Sequence, residues 1–146
     1  MIYVFLADGF EEVEALTPVD YLRRCELSVQ TVGVTGKLVR GSHGITVQAD
    51  ILPEEMDPGK VQMIVLPGGM PGTLNLGHSA AVLNMIDYCV DRQLPIGAIC
   101  AAPSILGRKG LLKEKRATCY TGFEEQLLGA VVTGAPVEAD GIFITA

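Results

Sequence analysis

Positive charge is scarce in this chain of 146 residues: 11 Lys and Arg stand against 17 Asp and Glu, a net charge of -6. That balance disfavours nucleic acid as a partner, because phosphate binding needs basic stripes. The one dense basic run, RKGLLKEKR at 108–116, is broken by leucines and by Glu114. It reads as a helix end followed by a solvated turn. Long apolar runs are missing too, and no segment approaches the roughly 20 apolar residues of a membrane-spanning helix. The N-terminal MIYVFLADG lacks a basic flank and meets acids at once, unlike a secretory signal. A cytoplasmic protein without a membrane partner is expected.

Metal-ligand patterns are equally thin. The four cysteines, Cys25, Cys89, Cys100 and Cys119, form no C-x-x-C pair, and His43 and His78 lie far from them in sequence. A zinc site is therefore not expected, and neither is another metal or an organic cofactor. In a reducing compartment the thiols stay unpaired. Cys25, Cys89 and Cys119 read as small hydrophobes. Repeats, low-complexity tracts and linkers are absent, and the length suits one domain, residues 1–146, with a single sizeable core.

What is present is alternation of buried strands and amphipathic helices. IYVFLA and VQMIVL are continuous apolar runs of strand length. DGFEEVEALTPVDYLRRC has Val13, Leu16, Val19 and Leu22 at helical spacing, with Pro18 expected to bend it or remove a hydrogen bond. LSVQTVGV alternates as a strand, and KLVRGSHGITVQ reads as a hairpin around Gly41 and Gly44. SAAVLNMIDYCVDRQ is a helix with Ser79 as N-cap, LPIGAIC a strand, and APSILGRKG a helix ended by Gly110. RATCY, a short helical FEEQLL and the strands within AVVTGAPVEADGIFITA complete the chain. This order predicts an α/β domain with a mainly parallel central sheet.

In such sheets ligands bind beyond the carboxyl ends of the strands. Three stretches fall there: ADGFEEVE, LPGGMPG and GAICAAP. Cys100 sits at a tight strand-to-helix junction between the small residues Gly97, Ala101 and Ala102, as in a nucleophile elbow. The following helix is expected to lower the thiol pKa, and Pro103 suits its first turn. Backbone N–H groups of LPGGMPG can face an oxyanion. Glu11, Glu12 and Glu14 open the first helix, and one of them beside the thiol would have its pKa raised. The residues alone do not say which.

DGFEEVEALTPVDYLRR, VLPGGMPGTLNL and AICAAPSIL, in that order, resemble the DJ-1/ThiJ/PfpI superfamily, its DJ-1-like branch in particular. DGIFITA is similar to the late strand of that family. The resemblance implies a flavodoxin-like α/β sandwich and a homodimer. It makes Cys100 the reactive elbow cysteine and Glu14 the acid that hydrogen-bonds it. Gly68, Gly69, Ala101 and Tyr120 fall in the pocket, and Arg24 near pocket and dimer interface. It implies a cofactor-independent glyoxalase or deglycase acting on a small carbonyl substrate, methylglyoxal or its adducts. The alternative it implies is an oxidative-stress sensor or chaperone in which Cys100 becomes a sulfinate.

Three departures qualify the resemblance. Ala101 stands where the family's proteases carry histidine, so a protease is not expected. Tyr120 stands where some members carry a pocket histidine. The family continues past its late strand into a Gly-rich turn and a helix. Residues beyond Ala146 are therefore expected, and a chain of this length alone is expected to be unstable or to aggregate. Glutamine amidotransferases share the elbow, but they need a histidine after the cysteine, and none follows Cys100.

Overall fold

β1 (Ile2–Leu6), IYVFL, is buried along its whole length. A strand with neighbours on both edges and cover on both faces reads as an unbroken apolar run. The computed structural model describes residues 1–146 and shows why. β1 lies between β2 (Val29–Gly33) and β5 (Met63–Leu66), parallel to both. β6 (Ile96–Ala98) and β10 (Phe143–Thr145) continue the parallel array, and β9 (Glu138–Asp140) closes it antiparallel to β10. The result is a six-stranded sheet in the order β2-β1-β5-β6-β10-β9, the mainly parallel α/β architecture expected.

Alternation along the strands sends side chains to two faces. Tyr3, Phe5, Ile64, Leu66 and Ile96 pack with Val82, Met85, Ile86 and Cys89 of α3 (Ala80–Asp91) and with Ile105 and Leu106 of α4 (Pro103–Arg108). Ile2, Val4, Leu6 and Val65 pack on the other side with Ala15 and Val19 of α1 (Glu12–Arg24). Val39 of β3 (Leu38–Arg40) joins this second core, bringing in the hairpin that β3 forms with β4 (Thr46–Gln48). α1 runs unbroken through Pro18, whose missing N–H leaves the Glu14 carbonyl without its helical partner. Ser79 caps α3 by accepting from the Val82 N–H.

Three details differ from the sequence reading. GTLNLGH forms α2 (Gly72–His78), although its two glycines and short length carry no helical signal. Its first turn rests on Gly9 and Phe10, so tertiary contact overrides propensity. RATCY pairs only at β7 (Arg116–Ala117), in a separate two-stranded sheet with β8 (Val131–Val132). FEEQLL is reduced to a single 3-10 turn at Glu124–Gln126. No helix is long and apolar enough to cross a membrane.

Candidate active site

β1, β5 and β6 are adjacent, so the loops after them meet at one sheet edge. Cys100 follows β6 with φ +63, a left-handed backbone that non-glycine residues adopt only when their surroundings hold it. The surroundings do so on both sides. The Cys100 N–H donates to the Ala146 carbonyl over 2.8 Å, and the Cys100 carbonyl accepts from the Tyr120 N–H over 2.8 Å. The turn leads into Pro103, at the first position of α4. Cys100 thus occupies a left-handed turn between β6 and α4.

Glu14 comes from the first turn of α1. Its Oε2 accepts from the Gly68 N–H over 2.9 Å, which ties α1 to the loop after β5. Gly68 is required there on steric grounds. A Cβ at this position would sit 2.5 Å from Glu14 Oε2, 2.7 Å from Cys100 Cβ and 3.1 Å from Cys100 Sγ. The carboxyl and the thiol therefore share the hollow over Gly68, close enough for each to shift the other's proton affinity. Gly69, with φ +91, turns its N–H toward the sulfur, and the Ala101 N–H does the same.

Burial pushes the Cys100 thiol up, and the charge and hydrogen bond of Glu14 push it further. The N–H groups of Ala101 and Gly69 pull it back only in part. This corrects the expectation that a helix end would lower it. α4 is only six residues long and begins with a proline, so its end offers little field. Burial likewise raises the Glu14 carboxyl, against the lowering hydrogen bonds from Cys100 and Gly68. Both members of the pair thus hold protons more tightly than they would in water.

The three acids at the start of α1 have separate tasks. Glu11 Oε2 accepts from the Ser42 hydroxyl. Glu12 is buried beneath the β3–β4 hairpin, where Oε1 accepts from the N–H groups of His43 and Ile45, and Oε2 lies 2.9 Å from His43 Nδ1. Gly41 leaves room for this carboxylate, since a Cβ there would overlap it. Burial works against the Glu12 anion. The His43 ring and the backbone N–H groups of Glu12, His43 and Ile45 outweigh it, bringing the carboxyl down to about 2. Donor atoms of Glu11, Glu12 and His43 lie within 4.8 Å of one another, a spacing that suits a cation, but those of Glu12 are already taken by hydrogen bonds.

Glu14, Cys100 and Tyr120 line a cavity of about 380 Å³ that also meets Thr118, Cys119, Thr121, Glu124 and Pro136. The cysteine, the acid, Gly68, Gly69, Ala101 and Tyr120 are thus brought together. Arg24 is not. Its Nε pairs with Asp20 over 2.9 Å on exposed surface at the far end of α1. Cys119 was read as a small hydrophobe, yet it is half-buried in the cavity wall. Its place follows from the Tyr120–Cys100 hydrogen bond, which no local pattern announces.

Comparisons with known proteins match the family and the fold. Residues 1–146 match the DJ-1/PfpI family. Protein DJ-1 homolog B of Arabidopsis thaliana is 34% identical over 99% of this chain, which spans only 33% of that relative's length. A Pyrococcus abyssi protein named deglycase is 30% identical, with 99% of this chain and 87% of the relative aligned. The crystal structure of a mutant DJ-1 superfamily protein from Salmonella typhimurium superposes with a TM-score of 0.93 at 34% identity, covering 99% of this chain and 79% of that one.

Proposed function

The chain belongs to the DJ-1/PfpI family, and on that premise we propose that it is a cysteine-dependent glyoxalase/deglycase-type enzyme acting on methylglyoxal or its adducts. The observation that carries the reading is the hollow over Gly68, where Glu14 and Cys100 meet with the N–H groups of Gly69 and Ala101 aimed at the sulfur. Relatives named deglycase support an enzymatic reading of the fold.

In this mechanism Cys100 Sγ attacks the aldehyde carbon as its proton passes to Glu14. A resting thiolate is not needed, because the acceptor shares the hollow over Gly68 with the thiol. The carbonyl oxygen takes up the electron pair and then the proton, giving a hemithioacetal. The donors that faced the sulfur lie one bond from this oxyanion and stabilise it as it forms. Glu14 then removes the proton from C1 and returns it to C2 through an enediol, while the hydroxyl proton passes between the two oxygens. The product is a lactoyl thioester on Cys100, and water releases lactate and the thiol. On a methylglyoxal adduct the C1–N or C1–S bond breaks first, the amine or thiol leaves with the hydroxyl proton, and Cys100 then attacks the aldehyde so released in the same way. Tyr120 stands at the mouth of the cavity to orient the substrate.

The test is lactate formation from methylglyoxal with no added thiol or metal. Turnover by the wild type, with a loss of about a thousandfold or more in Cys100→Ser, supports the reading. Wild-type turnover no faster than that of Cys100→Ser removes it. A second reading, a peroxide sensor in which Cys100 becomes a sulfinate, draws on the raised Glu14 carboxyl, which as an acid can donate to oxidised sulfur. Stable sulfinate at low peroxide with no carbonyl turnover would favour it.

A further inference from the structure

We propose that Cys119 is a resolving cysteine for Cys100, so that mild oxidation closes the site reversibly as a Cys100–Cys119 disulfide. The inference rests on the reading above only in taking Cys100 as the reactive thiol.

Both residues line the same cavity, and both are half-buried rather than sealed in the core. Their backbones are tied together at this point. The N–H of Tyr120, the residue after Cys119, donates to the Cys100 carbonyl over 2.8 Å. The bond sets the backbones of the two cysteines side by side, and a disulfide needs such neighbours, with α carbons roughly 4.4–6.8 Å apart. On the other side of Cys119, the Thr118 N–H donates to Thr145 Oγ1 over 2.9 Å. The segment is thus pinned to the sheet before and after the cysteine, with the side chain facing the cavity. Cys119 also responds to its neighbour's charge: after burial and Glu124, Cys100 is among the groups that raise its thiol.

The chemistry balances with a peroxide as oxidant. Cys100 sulfur attacks one peroxide oxygen, the O–O bond breaks, and the other oxygen leaves as water after taking the thiol proton. Cys100 is then a sulfenic acid. Cys119 sulfur attacks that sulfur, the S–O bond breaks, and the Cys119 proton leaves with the oxygen as a second water. The disulfide occupies the nucleophile, so carbonyl attack stops until a thiol reductant restores both cysteines. Without a second thiol in the cavity, the sulfenic acid would meet further peroxide and pass to the sulfinic acid, which a thiol does not reverse.

The test treats wild type, Cys119→Ser and Cys119→Ala with a small excess of hydrogen peroxide, at least two molar equivalents, since a sulfinic acid consumes two. Intact mass and non-reducing peptide mapping follow, before and after dithiothreitol. The expected wild-type result is loss of two hydrogens, a linked peptide pair containing Cys100 and Cys119, and return of both thiols on reduction. Both variants should instead gain two oxygens at Cys100 and fail to recover. Wild type that gains oxygens at Cys100 while Cys119 stays open to alkylation would overturn the proposal. Turnover of methylglyoxal in the same preparation then shows that the enzymatic reading stands without it. A Cys100 that neither peroxide nor an alkylating agent modifies removes both.

Discussion

Gly68 donates its N–H to Glu14 Oε2 over 2.9 Å while its missing side chain leaves the space in which that carboxyl meets the Cys100 thiol. One residue thus sets both the orientation of the acid and its distance from the sulfur. The helix that carries Glu14 and the elbow that carries Cys100 lie far apart in sequence, and the loop after β5 joins them. A methyl group at Gly68 has no free volume. It would meet Cys100 Cβ at 2.7 Å, and that atom is fixed to the backbone and cannot swing away. Gly68→Ala should cost about 1–3 kcal/mol in overpacking and turn Glu14 out of the hollow. Denaturant midpoints give the first effect. Lactate formation, reduced at least tenfold by the 1.4 kcal/mol scale of a misplaced catalytic group, gives the second.

Glu14 itself should be a liability to stability. Burial raises its carboxyl above the ordinary value of 4.5. The folded state then holds this proton more tightly than the unfolded chain, so stability falls as pH rises from the ordinary value through the raised one. Glu14→Gln keeps an acceptor for the Gly68 N–H and removes the titration. The variant should melt with the wild type at about pH 4, where both side chains are neutral, and above it at pH 8. Its turnover should fall by about a hundredfold or more, the scale of a lost general acid–base. Melting curves at the two pH values decide the matter, and a variant less stable than wild type at pH 8 would show that the carboxylate contributes to folding.

The sheet was legible because its central strands are buried on both faces and so spell themselves out as apolar runs. The three site stretches were legible for a related reason: glycines and small residues crowd the ends of those strands. The division of labour among the acids was only half legible. Residues 12 and 14 stand two steps of about 100° apart on a helix and so face different ways, but nothing local says which faces the thiol. The β3–β4 hairpin answers that by claiming Glu12, through N–H groups of His43 and Ile45 some thirty residues away. Cys119 was hidden for the same kind of reason. The 18 residues between it and Cys100 include α4 and a turn, and only the fold returns the chain to the elbow.

The thiols should separate in alkylation by environment. Cys89 is fully buried against the sheet, which pushes its thiol up to about 11, so it should react only on unfolding. Cys25, exposed at the end of α1, serves as the open reference. Cys100 is held up by burial and then by Glu14. Glu14→Gln removes the second cause, so the pH midpoint of Cys100 alkylation should move down. Peptide mass spectrometry across pH 5 to 10 reads all four sites at once. A Cys100 midpoint that stays in place or rises in the variant would mean that the carboxyl does not act on the thiol.

Docking of the β3–β4 hairpin should have its own pH window. The Glu12 carboxyl stands at about 2 in the fold against an ordinary 4.5, so its contribution is complete above 4.5 and is lost as pH falls toward 2. The His43 ring is raised above 6.5, first by its hydrogen bond to Glu12 and then by the charges of Glu11 and Glu12. Its contribution is complete below 6.5 and fades as pH rises through the raised value. The two together favour the interval between 4.5 and 6.5. Hydrogen exchange of the His43 and Ile45 amides, both donors to Glu12, should be slowest there after correction for intrinsic rates. His43→Gln should abolish the alkaline loss and weaken the acid limb, leaving the part that the backbone donors to Glu12 sustain. Glu12→Ala should abolish both, and it should destabilise the chain by less than the about 1–3 kcal/mol of a fully buried unpaired donor, because the hydrogen bonds from the His43 and Ile45 amides are only half-buried. Protection that persists unchanged from pH 4.5 to 9 in the wild type would mean that the imidazole merely rests against the carboxylate. The hairpin would then be held by Val39 and by its hydrogen bonds to Asp8, Gly9, Phe10, Glu11 and Glu12, with no charge contribution from His43.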